Sequence, residues 1–219
     1  MSAGNLIRAG RQFGASLFLA LIALLVFLIP GASSALQLDR AGGNSWQWLS
    51  CHFTHWNFDH LVWDLVVLAI LGAYCEKISK GRFLATLGLS AMVVPLVFLR
   101  WEPELQFYRG LSGIGSAVFA LTLVEIFALR NVGRCVALAA GLGFLGKVIV
   151  EIVTGQAIFV SAADAGFTVL PSAHLAGFLC GVGVGLLSYN FPLASREEWR
   201  KRWDYPRFAR LCGFGFARK

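Results

Sequence analysis

Four residues with reactive side chains stand inside strongly apolar sequence: His60, Asp64, Ser112 and His174. A hydroxyl and an imidazole are the smallest set able to do nucleophilic chemistry, because the imidazole takes the hydroxyl proton as the oxygen attacks a carbonyl. Three further ionisable groups share the apolar setting, Glu125, Lys147 and Glu151. Lys147 and Glu151 fall at i and i+4 on one helical face, which reads as a mutually neutralising pair. Glu125 lies about 20 Å beyond Ser112 if a helix of 1.5 Å per residue joins them, so it reads as a structural carboxylate near the opposite membrane face.

The composition says what must hold these groups. Of 219 residues, 57% are hydrophobic and 14% charged, against roughly 25% charged in a soluble domain, and mean hydropathy is +0.67. A water-soluble globule of this size cannot bury so much apolar surface. A soluble enzyme, a disordered tail, a fibre and a disulfide-stapled secreted domain are therefore excluded in favour of an all-α, multi-pass membrane protein. Apolar runs near residues 13–34, 59–76, 83–99, 112–129, 134–154 and 173–190 predict six spans. They form a membrane domain over 13–190, between a short N-terminal segment, 1–12, and a basic, aromatic tail, 191–219. The apolar run after Arg8 and Arg11 is long for a signal peptide and reads as a retained first span.

Charge sets the sidedness. Fifteen Lys and Arg residues fall on the side of the N-terminus, the joint at Lys77–Arg82, the joint at Arg130–Arg134 and the tail; only Arg40, Arg100 and Arg109 fall on the other. The excess of positive charge predicts that both termini are cytoplasmic. Even-numbered spans then begin on the outer side, which brings His60 and Asp64, Ser112 and His174 to similar depth there. Small residues favour close helix approach at this point: Gly110 and Gly113 flank the hydroxyl, Gly113 and Ala117 make a small strip on the fourth span, and Gly177 and Gly181 make another on the sixth. The basic tail reads as a headgroup-facing segment, and no nucleic-acid motif accompanies it. The five cysteines are scattered and odd in number, and read as apolar fillers.

Three motifs in this order resemble those of the rhomboid intramembrane serine proteases. Gly110-Leu111-Ser112-Gly113 is similar to the family's G-x-S-G, Ala173-His174-x-x-Gly177-x-x-x-Gly181 to its A-H-x-x-G-x-x-x-G, and His55-x-x-x-x-His60-x-x-x-Asp64 to its H-x-x-x-x-H-x-x-x-N. The resemblance covers the six-span core and implies a rhomboid-like bundle. It makes Ser112 the nucleophile, His174 the general base, and His60 with the Ser112 N–H the oxyanion ligands, supported by Asp64, Gly110 and Gly113. It further implies an inner-membrane protease whose site faces the periplasmic or extracellular side, which takes a membrane-anchored protein substrate sideways from the bilayer and needs no cofactor or metal. The small size is similar to the rhombosortase branch, which processes proteins with a Gly-rich C-terminal anchor.

The sequence departs from the family at three places. Asp64 replaces the oxyanion asparagine, and reads either as a protonated donor or as a partner for a histidine. Ser116 stands where an aromatic residue usually supports the base, and the first outer loop reads Trp46-Gln47 in place of Trp-Arg. A catalytically inactive rhomboid-like protein that binds or escorts transmembrane clients is the rival reading. A zinc or haem site built from Cys51, His52, His55, His60 and His174 is weighed as well, and lacks a settled ligand spacing.

Overall fold

The structure, a computed structural model, describes residues 14–129, 132–160 and 168–190. The expectations for segment 1–12 and tail 191–219 therefore lie outside the described residues. Met1–Leu186 form one compact unit and Leu187–Lys219 a second, and every reactive residue singled out in the sequence belongs to the first.

Each of the six apolar runs is helical, and the boundaries move for identifiable reasons. The first run, expected to continue to residue 34, divides into α1 (Gly14–Leu28) and the short α2 (Ala32–Leu36). Pro30 has no N–H to donate and Gly31 takes φ 78°, so the helix cannot continue through them. The start of α1 is held from elsewhere in the chain. Glu76 accepts from Ala15 N and Ser16 N at 3.0 Å and from Ser16 Oγ at 2.9 Å, which satisfies amides that a helix N-terminus leaves open.

The first loop contains strand β1 (Leu38–Asp39), α3 (Gln47–Ser50) and a 3-10 turn at Cys51–Phe53. Next come α4 (Phe58–Val67), a wide π-helical turn at Leu68–Gly72, α5 (Ala73–Ile78) and α6 (Lys80–Trp101). Strand β2 (Phe107–Tyr108) then pairs antiparallel with β1, Leu38 opposite Tyr108 and Asp39 opposite Phe107. This small ribbon has no counterpart in the sequence reading, since two-residue strands carry no periodicity. It ties the first loop to the residues just before Ser112. The chain continues in α7 (Ser112–Phe127), α8 (Val132–Thr154) and α9 (Pro171–Asn190).

By length and composition α6, α8 and α9 are long and apolar enough to cross a membrane, and α1 and α7 are shorter apolar helices. Along α8, Leu142, Ile149, Ile152 and Val153 are exposed, a face that requires lipid in place of water. α7 differs. It is apolar around its whole circumference, and Ile114, Ala117, Val118, Ala120 and Leu121 are all buried, as expected of a helix enclosed by others.

Two apolar clusters fix the elements around α7. One joins Ala23 of α1, Leu61, Leu68, Phe83 and Leu87 to Ile114, Val118 and Leu121. The other packs the first loop, through Leu38 and Cys51, onto Val94 and Phe98 of α6 and Ala173 and Ala176 of α9. Arg40 secures that loop further: its guanidinium donates to the carbonyls of Phe98, Leu99, Glu102 and Leu105 at 2.6 to 3.1 Å and lies 5.0 Å from the Phe98 ring centroid. A cation on the last carbonyls of a helix is favoured by the helix dipole as well as by the hydrogen bonds. Arg40 thus braces the loop from a position outside the Trp46-Gln47 pair.

Candidate active site

Ser112 is the first residue of α7, and the turn before it is held from several directions. Gly110 takes φ 121°, open to glycine alone, and a Cβ there would stand 2.8 Å from the His60 ring. Gly110 N donates to Cys51 O at 3.1 Å, and Tyr108 Oη donates to Gly110 O at 3.1 Å. The next amide, Leu111 N, donates to Asp64 Oδ2 at 2.9 Å. The Ser112 hydroxyl itself engages no protein partner among the described residues, so it faces the cavity free.

Asp64 sits at the meeting point of two histidines. Its Oδ2 lies 3.1 Å from His55 Nε2 and 3.4 Å from His60 Nε2, and the two rings cross nearly edge to face with centroids 5.2 Å apart. Of the two roles open to Asp64 in the sequence, partner to a histidine is the one this geometry favours, because the oxygen that faces the serine turn is already accepting a backbone N–H. His60 is placed by its own helix start: Asn57 Oδ1 accepts from His60 N at 2.8 Å as N-cap of α4.

The neighbouring His52 is 1% exposed. Pro95 explains it. A proline has no N–H for the carbonyl four residues earlier, and that carbonyl, Ala91 O, instead meets His52 Nε2 at 3.0 Å. Burial lowers the His52 pKa and raises that of the Cys51 thiol beside it. The first is therefore a neutral donor, and the second an unreactive filler.

On the facing side, His174 stands in the first turn of α9. Its Nδ1 is 3.1 Å from Glu151 Oε2 and 3.1 Å from Lys147 Nζ on α8, and those two atoms are 2.7 Å apart. The sequence pair Lys147 and Glu151 does form, but it also encloses the histidine. The signal that would have found this was depth: the fifth and sixth apolar runs are consecutive, so the end of one and the start of the next fall level, Lys147 and Glu151 with His174.

A cavity of about 610 Å³ joins these groups, with Ser112, His174, His60, Asp64, Lys147 and Glu151 all on its wall. Arg109 also lines it, stacked 4.3 Å from the Trp56 ring centroid and donating to Gln37 Oε1 at 2.7 Å and Ser34 Oγ at 3.1 Å. Partial burial lowers its pKa, and it keeps its charge, since a guanidinium does not lose its proton in proteins. Phe144 stacks on Phe178 at 4.6 Å and meets Phe119 at 5.7 Å, so Phe119 and Phe144 line the cavity with Phe178 packed behind them, although Ser116 is not aromatic. Ser116 turns its hydroxyl back to Ser112 O at 2.8 Å. Among the described residues no three His, Cys, Asp or Glu side chains are gathered as metal ligands.

α7 and α9 approach closely enough to put Ser112 and His174 on one wall. A Cβ on Gly177 would fall on the Gly113 carbonyl, and one on Gly181 would fall on that of Ala117. The contact is backbone to backbone along Gly113 and Ala117. With this arrangement in view, the match of the Rhomboid domain model to residues 42–191 is decisive. The chain belongs to the rhomboid family. No curated protein matches it. Within this rhomboid domain, sequence reasoning found the groups that line the cavity and missed what braces them: Arg40 on α6, Asp64 on the Leu111 amide, and Glu151 on His174. The matched segment begins after α1 and β1 and so leaves out the α1 amides that Glu76 caps, together with Arg40; these are features of this chain's own N-terminal part.

Proposed function

We propose that this rhomboid is an active intramembrane serine endopeptidase that hydrolyses a peptide bond in or near the transmembrane segment of a membrane-anchored protein. The observation that carries the reading is that Ser112 and His174 line one cavity, on two helices in backbone contact, with His60 beside the serine turn. In the reaction, Ser112 Oγ bonds to the scissile carbonyl carbon as its proton passes to His174. His174 then protonates the leaving amine as the C–N bond breaks, and water releases the acyl group from Ser112 by the same route. His60 and the Ser112 N–H steady the oxyanion; one such donor is worth roughly 2.7 to 4 kcal/mol. A free Ser112 hydroxyl suits an unliganded site, where catalytic hydrogen bonds tighten only once substrate is bound.

The same reading takes residues 13–190 as a six-span domain of the cell inner membrane. Both termini are then cytoplasmic and the cavity opens toward the outer face. The charge distribution and the exposed apolar faces of the helices support this. A second reading, an inactive rhomboid that binds transmembrane clients, draws on Asp64 in place of asparagine and on the lack of a Ser112–His174 hydrogen bond.

One experiment separates them. Protein purified in mild detergent is exposed to a fluorescent fluorophosphonate, with Ser112→Ala and His174→Ala alongside. Labelling of wild type that vanishes in both variants is the expected result. No labelling of wild type, while an active rhomboid labels in parallel, would overturn the protease reading in favour of the client-binding one.

A further inference from the structure

The contacts of His174 Nδ1 raise a question of proton placement that the serine and histidine alone do not answer. In a neutral imidazole one nitrogen donates and the other accepts. To serve as a base toward Ser112, His174 must keep its proton on Nδ1 and present a bare Nε2. Two groups reach Nδ1, and they demand opposite tautomers: Glu151 can only accept, whereas the Lys147 ammonium can only donate.

The distances choose between them. Lys147 Nζ is 2.7 Å from Glu151 Oε2 but 3.1 Å from Nδ1, and Nδ1 is itself 3.1 Å from the same Oε2. One carboxylate oxygen with two lone pairs can accept from both donors, while an Nδ1 that accepts from lysine leaves the carboxylate with one partner fewer. The Glu151 side chain is 1% exposed, and a largely buried carboxylate that loses one of its donors is costly. Lys147 keeps Glu151 ionised, and Glu151 Oε2 accepts the hydrogen bond that the imidazole Nδ1–H donates.

We infer that Glu151 is a positioning residue that fixes the Nδ1–H tautomer and ring direction of His174, with Lys147 as its counter-ion, so that the site is organised as serine, histidine and glutamate. The inference rests on the protease reading for its consequence, not for its geometry. The other charged or titratable groups on the cavity wall, among the described residues, are His60 and Asp64 of α4, Tyr108 of β2, and Arg109. They belong to the elements around the serine turn, and among the described residues the partners of Nδ1 are the α8 pair.

The test reads the imidazole directly. Protein labelled with ¹⁵N-histidine in detergent micelles, its His174 signal assigned by His174→Gln, is expected to show the Nδ1–H tautomer. Glu151→Gln is expected to shift it toward Nε2–H and to lower the pH at which His174 takes its second proton, whereas Lys147→Met raises that pH by leaving the carboxylate uncompensated. A structural role alone would not move the two variants in opposite directions. If Glu151→Gln does not purify as folded protein because Lys147 is left unpaired, the double variant Lys147→Met/Glu151→Gln removes both charges and is read in the same way. An Nε2–H tautomer in wild type, or a Glu151 variant with an unchanged tautomer and titration, would overturn the inference.

Fluorophosphonate labelling then separates the two claims. With an active protease, Glu151→Gln labels roughly 100-fold more slowly or worse, as for other triads that lose their carboxylate, and the acid limb of its pH profile moves to lower pH. If wild type shows the Nδ1–H tautomer but never labels, the protease reading fails while the role of Glu151 in orienting the imidazole stands. If wild type labels and Glu151→Gln labels as fast, with the same pH profile, the role of Glu151 fails while the protease reading stands.

Discussion

Asp64 illustrates how one residue is constrained by neighbours that lie far away in sequence. Its Oδ2 accepts the Leu111 N–H, so it acts on the serine turn as an acceptor. Asp64→Asn retains an oxygen for that amide, and is expected to lower the rate of Ser112 labelling by less than about tenfold. Asp64→Leu leaves a buried N–H without a partner and is expected to cost about 1 to 3 kcal/mol of stability, with a larger loss of labelling than the asparagine variant; thermal unfolding in detergent and labelling rates check the pair. His52 gives a prediction in pH. Burial holds its pKa below the ordinary 6.5, so the folded protein keeps it neutral while the unfolded chain takes up a proton near that value. Its contribution is complete above about pH 6.5 and declines as pH falls toward the folded-state pKa. His52→Gln is expected to flatten the fall in thermal midpoint between about pH 7 and pH 5, and an unchanged slope would assign that fall to other groups.

At the scale of elements, the contact of α7 with α9 is decided by the absence of side chains. A methyl group at Gly177 would overlap the Gly113 backbone, and backbone cannot swing aside as a side chain can. Gly177→Ala is expected to destabilise by about 1 to 3 kcal/mol and to slow labelling further by separating Ser112 from His174; equal stability would mean that α9 is free to slide. The small-residue spacing was legible in sequence because four-residue periods show on a helix without any structure. The anchoring of α1 was not, because Glu76 reaches amides 60 and 61 residues away. Glu76→Ala is expected to cost about 1.5 to 3 kcal/mol and to speed hydrogen exchange at Ala15 and Ser16 in particular.

Among the described residues, apolar helices gather Ser112, His174, His60, Asp64, Lys147 and Glu151 around one cavity. The proposed topology puts the turn after α6 outside and the α5–α6 joint in the cytoplasm. In a chain without native cysteines, Glu104→Cys is expected to react with a membrane-impermeant maleimide in intact cells, and Lys77→Cys only after the cells are permeabilised. The reverse pattern would invert the orientation. In that proposed topology Arg40, Arg100 and Arg109 are the few basic residues on the outer side. Two of them have structural work there, Arg40 on the end of α6 and Arg109 against Trp56, Gln37 and Ser34.

Taken by itself, the sequence determined the helices, their order and the reactive residue types. In lipid each helix must satisfy its own backbone, and that requirement is local enough to be read from apolar runs and from Pro30 and Gly31. It also determined that Ser112 and His174 lie near helix starts. Only the tertiary structure decided which groups touch. Asp64 meets the Leu111 amide across 47 positions, and Glu151 meets His174 across 23. Such contacts depend on how far each helix is rotated and how closely it packs, and those quantities are set jointly by all the neighbours of α7.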